Sequence, residues 1–581
     1  MSNAVVKPQT HEYKNFRGVD FSSRPDEVIF YRSPDALNMW KNYKNSSGGN
    51  VETRPDVELI KEFDDVIYGM AFYDVDGSKH RIVHSGNKLY DNDNVIYENM
   101  AKNESVFFVY DDILYFLDGE KYLQYDKNEV KEVEPYIPRT TMSKDPAGGG
   151  VVDDAVNLIT DYRINSFVSD GTSKDYVLDV QNIVADSVEA WINDSKVTNF
   201  SVNATDGIIT FNTAPEIPLT DGQDNVYIKF KKTTDNKQLI TKCTMVTLFD
   251  SRVFVSGNPD KPNMAWNCDY TNELTGFSDR VNTPIYFPDN CYYAEGFDQA
   301  SVRGFAVGNN ALWAFKETNS NGTTVYYHNP VTIDVADTVE KGYSPTPSSI
   351  SVGCVGRPIN FNDDLVFFSE RGMEAISGDV TTEQTLAHRS TLVDNKMTSL
   401  DGYKDMILEK WKNYLLVFIG NKVFLADSKS RSQINNDIQY EWYYWELEEN
   451  GKELNIRGAT ADDEVLYLYS DKKLYTLTKT DTNIMSYWCT LADEFNAPQY
   501  QKTTNKRGCV ADVEGSSINV YAKTDANKFE KINTYKNVKG YIVPRIKKKK
   551  WKSIQIKFES SKPFNLYSCT LEAYVGSYIK R

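Results

Sequence analysis

The chain has 581 residues, of which 13% are aromatic, and a formal net charge of −17 from 82 acidic and 65 basic side chains. That acidic balance excludes an ordinary tight nucleic-acid binder, which needs clustered Lys and Arg. No run of about 18 apolar residues occurs, so no membrane-spanning helix is expected. The opening stretch MSNAVVKPQTHEYKNF lacks the apolar core of a secretory signal.

Residues 1–64 show little periodicity and are expected to dock on the first hairpin unit rather than form a domain. Within them, Ser33-Pro34-Asp35 has the form of a helix N-cap with Pro at the first helical position, which predicts a short helix over 34–41. A flexible turn at 46–50 and a strand carrying Thr53-Arg54-Pro55 should follow. From about residue 65 a phrase recurs: an aromatic or aliphatic strand, an acidic or Asn turn, then a second aromatic strand. Clear copies lie at 106–126, 359–376 and 458–477, and looser ones at 69–91, 246–258, 305–317 and 410–427. With 38 Tyr and 28 Phe, the aromatic supply suits such pleated surfaces. A hairpin of this size cannot bury its own apolar face. Repeated copies therefore predict a mainly β chain whose centre is a β-propeller, over 65–156 and 233–490.

The pattern breaks after Tyr136. Pro138, Pro146 and Gly148-Gly149-Gly150 predict an exposed linker. Period-two strands with Asp170-Gly171 and Asp206-Gly207 turns then predict an inserted small β-sandwich over 157–232. Residues 491–581 predict a C-terminal β-domain of four or five strands. A second short helix is expected around 399–408.

Few residues suggest chemistry. His80 and His84 are four apart, but on a strand that spacing is about 13 Å, too long for a shared metal. His11, His328 and His388 are isolated in sequence. Asp74-Val75-Asp76-Gly77 and 91–94 resemble pieces of calcium loops without the terminal bidentate Glu. The pairs Asp111-Asp112, Asp363-Asp364 and Asp462-Asp463 recur at one place in repeated units, which predicts turn formation rather than a catalytic carboxylate pair. Gly148-Gly149-Gly150 lacks the rest of a phosphate-binding loop. Seven dispersed Cys predict reduced, buried thiols. No catalytic, metal or cofactor residues are therefore assigned, and no enzyme activity is expected. The basic cluster Arg545, Lys547, Lys548, Lys549, Lys550 and Lys552 around Trp551 admits three readings: a solvated strand edge, contact with an acidic neighbouring subunit, or contact with DNA phosphates. Trp442-Tyr443-Tyr444-Trp445 is expected in a blade core, with an interface anchor as the alternative.

A string of motifs in fixed order resembles a family. Asn38, Gly48-Gly49 and Thr53-Arg54-Pro55 resemble the N-x(n)-G-x-x-x-R-P-G opening of tail-tube nozzle proteins of short-tailed bacteriophages, also called tail tubular protein B. Asp56 stands where that pattern has Gly. Next, Gly119 in a Tyr-rich hairpin, Tyr136-Ile137-Pro138, the Gly-rich break and Asn157-Leu158 are similar to phage proteins labelled stabilization proteins. So are Asp170-Gly171-Thr172-Ser173, Gly207-Ile208-Ile209-Thr210-Phe211 and Phe367-Phe368-Ser369. The resemblance covers most of 15–480. It implies a structural subunit of a phage tail or neck, forming a self-assembled ring, expected to be hexameric, around the DNA exit channel. It further implies contact with portal, adaptor and other tail proteins, transient passage of genomic DNA, and a place in the virion after assembly in the host cytoplasm. A conduit whose wall repels DNA accommodates the acidic balance. The alternative is a glycan-binding, receptor-recognition propeller protein of the phage tail.

Overall fold

The computed structural model describes residues 8–44, 49–75, 77–271, 281–282, 284–320, 322–335, 338–378, 382–434, 437–481 and 483–578. It is almost entirely antiparallel β-structure, with two α-helices of four and five residues among the described residues. Two compact units divide it: residues 1–67 with 354–581, and residues 68–353.

Each of the seven repeated phrases becomes part of one four-stranded antiparallel sheet, termed a blade below. In the unit of residues 68–353 the blades start at Ile67–Val75, Val106–Tyr110, Met245–Phe249 and Val302–Gly308. In the other unit they start at Ile359–Phe361, Ile407–Trp411 and Gly458–Asp462. The reason is local. The first hairpin of a blade is closed by residues that tolerate positive φ: Asp111 and Asp112 (46° and 58°), Asn309 and Asn310 (51° and 59°), Asn362 and Asp363 (51° and 65°). Two successive left-handed residues give the tight turn whose twist matches the flanking strands, and Asn and Asp reach that region most cheaply among residues with a side chain. The recurring acidic pairs thus supply turn formers at Asp111, Asp112, Asp363 and Asp463, whereas Asp462 ends one strand and Asp364 starts another and receives Arg389 Nε at 3.0 Å.

The seventh blade takes its fourth strand from the far end of the chain. Asp56–Glu62 pairs with Lys473–Lys479. The described residues of 1–64, expected to dock on the first hairpin unit, instead place strands in this blade and in the C-terminal sheet. Gln9–Lys14 pairs with Phe564–Tyr578, and Ala36–Leu37 pairs with Ser486–Cys489. The helix predicted over 34–41 is replaced by two-residue strands, Ala36–Leu37 and Met39–Trp40, on either side of Asn38 at φ 56°. Local capping signals lose here because Ala36, Met39 and Trp40 are buried in the sheet's core. Around 399–408 only a 3₁₀ turn, Tyr403–Asp405, forms, preceded by the helix Asp394–Met397. Of the expected 46–50 turn, residues 46–48 lie outside the described residues, as do Gly48 of the family-like motif and Asp76 of the calcium-like stretch.

The insert is larger than predicted. Its sheets run from Arg139–Lys144 to Val226–Lys231, one six-stranded and one three-stranded, around a core of Phe167, Tyr176, Ala190, Ile209, Phe211, Val226, Ile228 and Phe230. The Gly-rich segment is the tip of its first hairpin, not a linker: Met142 pairs with Val151 across Gly148-Gly149-Gly150. The C-terminal sheet has eleven strands rather than four or five: seven lie between Ser486 and Tyr578, and four come from the N-terminus.

Candidate functional site

Asn38 and Arg54 are brought together, in the unit of residues 1–67 and 354–581. The left-handed backbone at Asn38 lets one flanking strand join the C-terminal sheet while the other pairs with Val51–Thr53. Asn38 Nδ2 donates to the Met485 carbonyl at 2.9 Å; its Oδ1 accepts from Arg54 Nε and from the Glu446 amide, both at 2.9 Å. Arg54 is 1% exposed and donates further to the carbonyls of Glu446 (2.7 Å) and Pro55 (2.8 Å). Burial pulls its guanidinium down to about 10, against the opposing pull of Asp56, 3.5 Å away, and of Glu448. Gly49 sits at φ 122° and accepts the Phe16 amide; a Cβ there would lie 2.8 Å from the Asn15 Cα. These residues form a staple between the N-terminal strands, the sixth blade and the start of the C-terminal sheet.

Tyr136 and Pro138 belong to the other unit and hold the root of the insert. Tyr136 donates to Asp154 at 2.7 Å, and its carbonyl accepts Asn157 Nδ2 at 2.8 Å. Asn157 also bonds the Ile285 carbonyl and the Phe287 amide. The Pro138 carbonyl accepts the Ile164 amide at 2.9 Å.

The basic cluster lies on an extended run with period-two burial. Ile542, Pro544 and Ile546 point inward, while Tyr541, Val543, Arg545 and Lys547 face solvent. The strand Lys549–Trp551 then pairs with Tyr500–Thr503. Trp551 is 1% exposed and packs edge-on against Phe495. Behind it, buried Lys502 donates to the carbonyls of Ala497, Tyr500 and Lys552. The anchors are thus internal and the charges external. Lys548 pairs with Glu530, whereas Arg545, Lys547, Lys549, Lys550 and Lys552 are exposed and make no ion pair among the described residues. Next to them runs the hairpin Cys509–Thr524 and Glu530–Ile542. Its outer strand, with exposed Lys531, Lys536 and Lys539, pairs with no other strand among the described residues.

One cluster was invisible in the sequence. His388 faces Glu374 as its cross-strand neighbour, with Nδ1 3.3 Å from the carboxylate, and its Nε2 lies 2.6 Å from Asp394. Arg371 approaches Glu374 at 3.4 Å, and the Ser390 hydroxyl donates to Asp394 at 2.6 Å. Arg371, Glu374, His388 and Asp394 line an open concavity of about 520 Å³ with Leu386 and Asp437. The serine is bonded to the carboxylate rather than the imidazole, so this is not a nucleophilic triad. Only strand register, which fixes position 374 opposite 388, reveals it. Burial lowers the His388 pKa, but the hydrogen bonds and charges of Asp394 and Glu374 outweigh that and push it up to about 9. A folded pKa above the unfolded value of about 6.5 adds stability at low pH that is lost as pH rises towards 9. His388→Gln is therefore expected to flatten the pH dependence of stability between those values; an unchanged slope in denaturant titrations contradicts the network.

The other histidines are separately partnered: His80 with Asp91, His84 with Ser105, His11 with Asp493 and buried His328 with Glu295. Trp442, Tyr443, Tyr444 and Trp445 are all at most 2% exposed, so they are blade core and the interface-anchor alternative is withdrawn. All seven cysteines are free, and six are buried. Cys509 and Cys569 sulfurs stand 3.9 Å apart, within reach of a thiol hydrogen bond and too far for a disulfide. Burial pushes the Cys268 thiol up to about 12 and Cys243 higher still. A disulfide-exchange reagent is expected to react only slowly with the native protein and to count seven thiols after unfolding; fewer would show a disulfide.

No protein-family model and no curated protein matches the chain. Among solved structures, it is similar to an exo-β-1,3-galactanase from Phanerochaete chrysosporium with galactose, at 8% identity over 82% of this chain and 97% of that one, with a TM-score of 0.18. It is similar to the extracellular domain of a hybrid two component system from B. thetaiotaomicron, at 10% identity over 84% and 95%, with a TM-score of 0.17. A glycoside hydrolase aligns at 9% identity over 87% and 98%, with a TM-score of 0.19. Scores this low carry no argument for the activity of this chain.

Proposed function

We propose that this chain is a non-enzymatic structural subunit of a bacteriophage tail or neck, which assembles with further copies into a ring around the DNA exit channel. The observation that supports this reading best is the use made of the residues carrying the resemblance. Asn38, Gly49, Arg54 and Pro55 staple distant parts of the chain together, and Tyr136, Pro138 and Asn157 fix the insert's root. Motif residues used for internal bonding suit a protein whose role is architectural. In this reading the blades form wall, and the excess of carboxylates keeps passing DNA from adsorbing. The insert reaches a neighbouring subunit or projects outward.

The test is cryo-EM and mass spectrometry of purified particles made from the genome that encodes this sequence. The expected result is a ring of this chain on the axis of the tail or neck. A chain absent from the particle, or a stable monomer that binds glycans on an array, defeats the reading.

A further inference from the structure

Charge is strongly segregated along the chain. Residues 500–581 carry 18 basic and 6 acidic side chains, a formal +12, while residues 1–499 carry 47 basic and 76 acidic, a formal −29. The basic part includes the segment with five exposed cations that make no ion pair among the described residues, and the lysine-bearing outer strand Glu530–Ile542. Exposed carboxylates stand at the blade turns, among them Asp111, Asp112, Asp363 and Asp463.

We propose that the exposed basic surface of the C-terminal sheet is a docking site for the acidic blade surface of a second copy of this chain, in a head-to-tail contact. Two copies at −17 each repel in most orientations. Attraction requires the basic sheet of one to face carboxylates of the other, within the roughly 8 Å over which charge is felt at physiological salt. A two-fold contact through the sheet itself would set lysine against lysine, so it is excluded. A sheet-to-blade contact that is not reciprocated within one pair is heterologous, and it closes into a ring or extends into a filament. Tyr541, 77% exposed, and Val543, 41% exposed, stand beside the cations. An exposed aromatic beside a free strand edge is an arrangement that protein partners use, which favours a second copy over duplex DNA.

This deepens the ring reading and rests on it for the choice of partner. The experiment is sedimentation equilibrium of the full chain between 50 and 500 mM NaCl, alongside the charge-reversed variant R545E/K547E/K549E/K550E. A neutral variant with Ser at the same four positions and circular dichroism control for folding. Carbodiimide cross-linking of mixed ¹⁴N and ¹⁵N chains reads out the contact. The expected result is association that weakens at least about tenfold with salt and with either variant. Intermolecular links from Lys547, Lys549 or Lys550 to carboxylates within 1–499 should accompany it. A monomer at every salt concentration, or association indifferent to both variants, overturns the inference. So does loss of binding to a 30-base-pair DNA duplex with association unchanged, since the surface then serves a polyanion. A ring present in particles but indifferent to the variants removes only this inference. Association through the surface by a chain absent from particles removes only the ring reading.

Discussion

Replacing Arg54 with Ala is expected to destabilise the unit of residues 1–67 and 354–581 by about 3–5 kcal/mol, comparable to breaking a buried charged pair. The side chain makes hydrogen bonds to Asn38 Oδ1 and to the carbonyls of Pro55 and Glu446. Its removal leaves buried acceptors without donors, at about 1–3 kcal/mol for each one left fully unsatisfied. Arg54→Lys is expected to recover only part of the loss, because a point charge on a flexible stem cannot reproduce a planar fork serving three acceptors. Asn38→Ala should fall between the two, since it removes the bonds to Met485 and Glu446 and also places Ala at a positive φ. Denaturant midpoints followed by tryptophan fluorescence make the comparison. An Arg54→Ala variant within about 1 kcal/mol of the parent, half of one ordinary unsatisfied group, would falsify the staple.

Trp445→Ala is expected to cost about 3–5 kcal/mol, the usual range for emptying a buried tryptophan site. Trp445 lies in the outer strand of the sixth blade, Asp437–Glu446, and is 1% exposed. It meets Trp40 edge-on at 5.5 Å, and Trp40 stacks on Trp411 at 5.4 Å. The cluster therefore joins an N-terminal strand to two strands of one blade, and the cavity opens where they meet. Trp445→Phe should cost far less: it keeps an aromatic face and removes a buried indole N–H that has no acceptor among the described residues. Neither change should alter self-association beyond the loss of folded protein. A Trp445→Ala variant of native stability but impaired association would return these aromatics to an interface.

The repeating part of the fold was legible because its signal is local. Seven copies of one phrase correspond to seven four-stranded blades, and the acidic turns are where left-handed residues are needed. The helix expected over 34–41 failed because its cues, Ser33 and Pro34, compete with burial of Ala36, Met39 and Trp40 among strands from residues 486–489. The Gly-rich stretch was misread as a linker because a three-glycine hairpin tip looks the same in composition. The basic cluster was visible as charge, but its exposure depended on where Ile546 and Trp551 found their core. His388 had no sequence signal at all, since Glu374 becomes its neighbour only through pairing register.

By itself the sequence determined the mainly β class, the repeated hairpin units and the segregation of charge, because periodicity, turn chemistry and ionisation are properties of short stretches. The tertiary structure alone decided that the first strands complete the last blade and the C-terminal sheet. It also decided that Asn38 and Arg54 share one buried network, and that the cations of the basic cluster face outward. Those outcomes depend on contacts between residues hundreds of positions apart. Burial and hydrogen-bond satisfaction set such contacts for the folded chain as a whole, and no local window contains them.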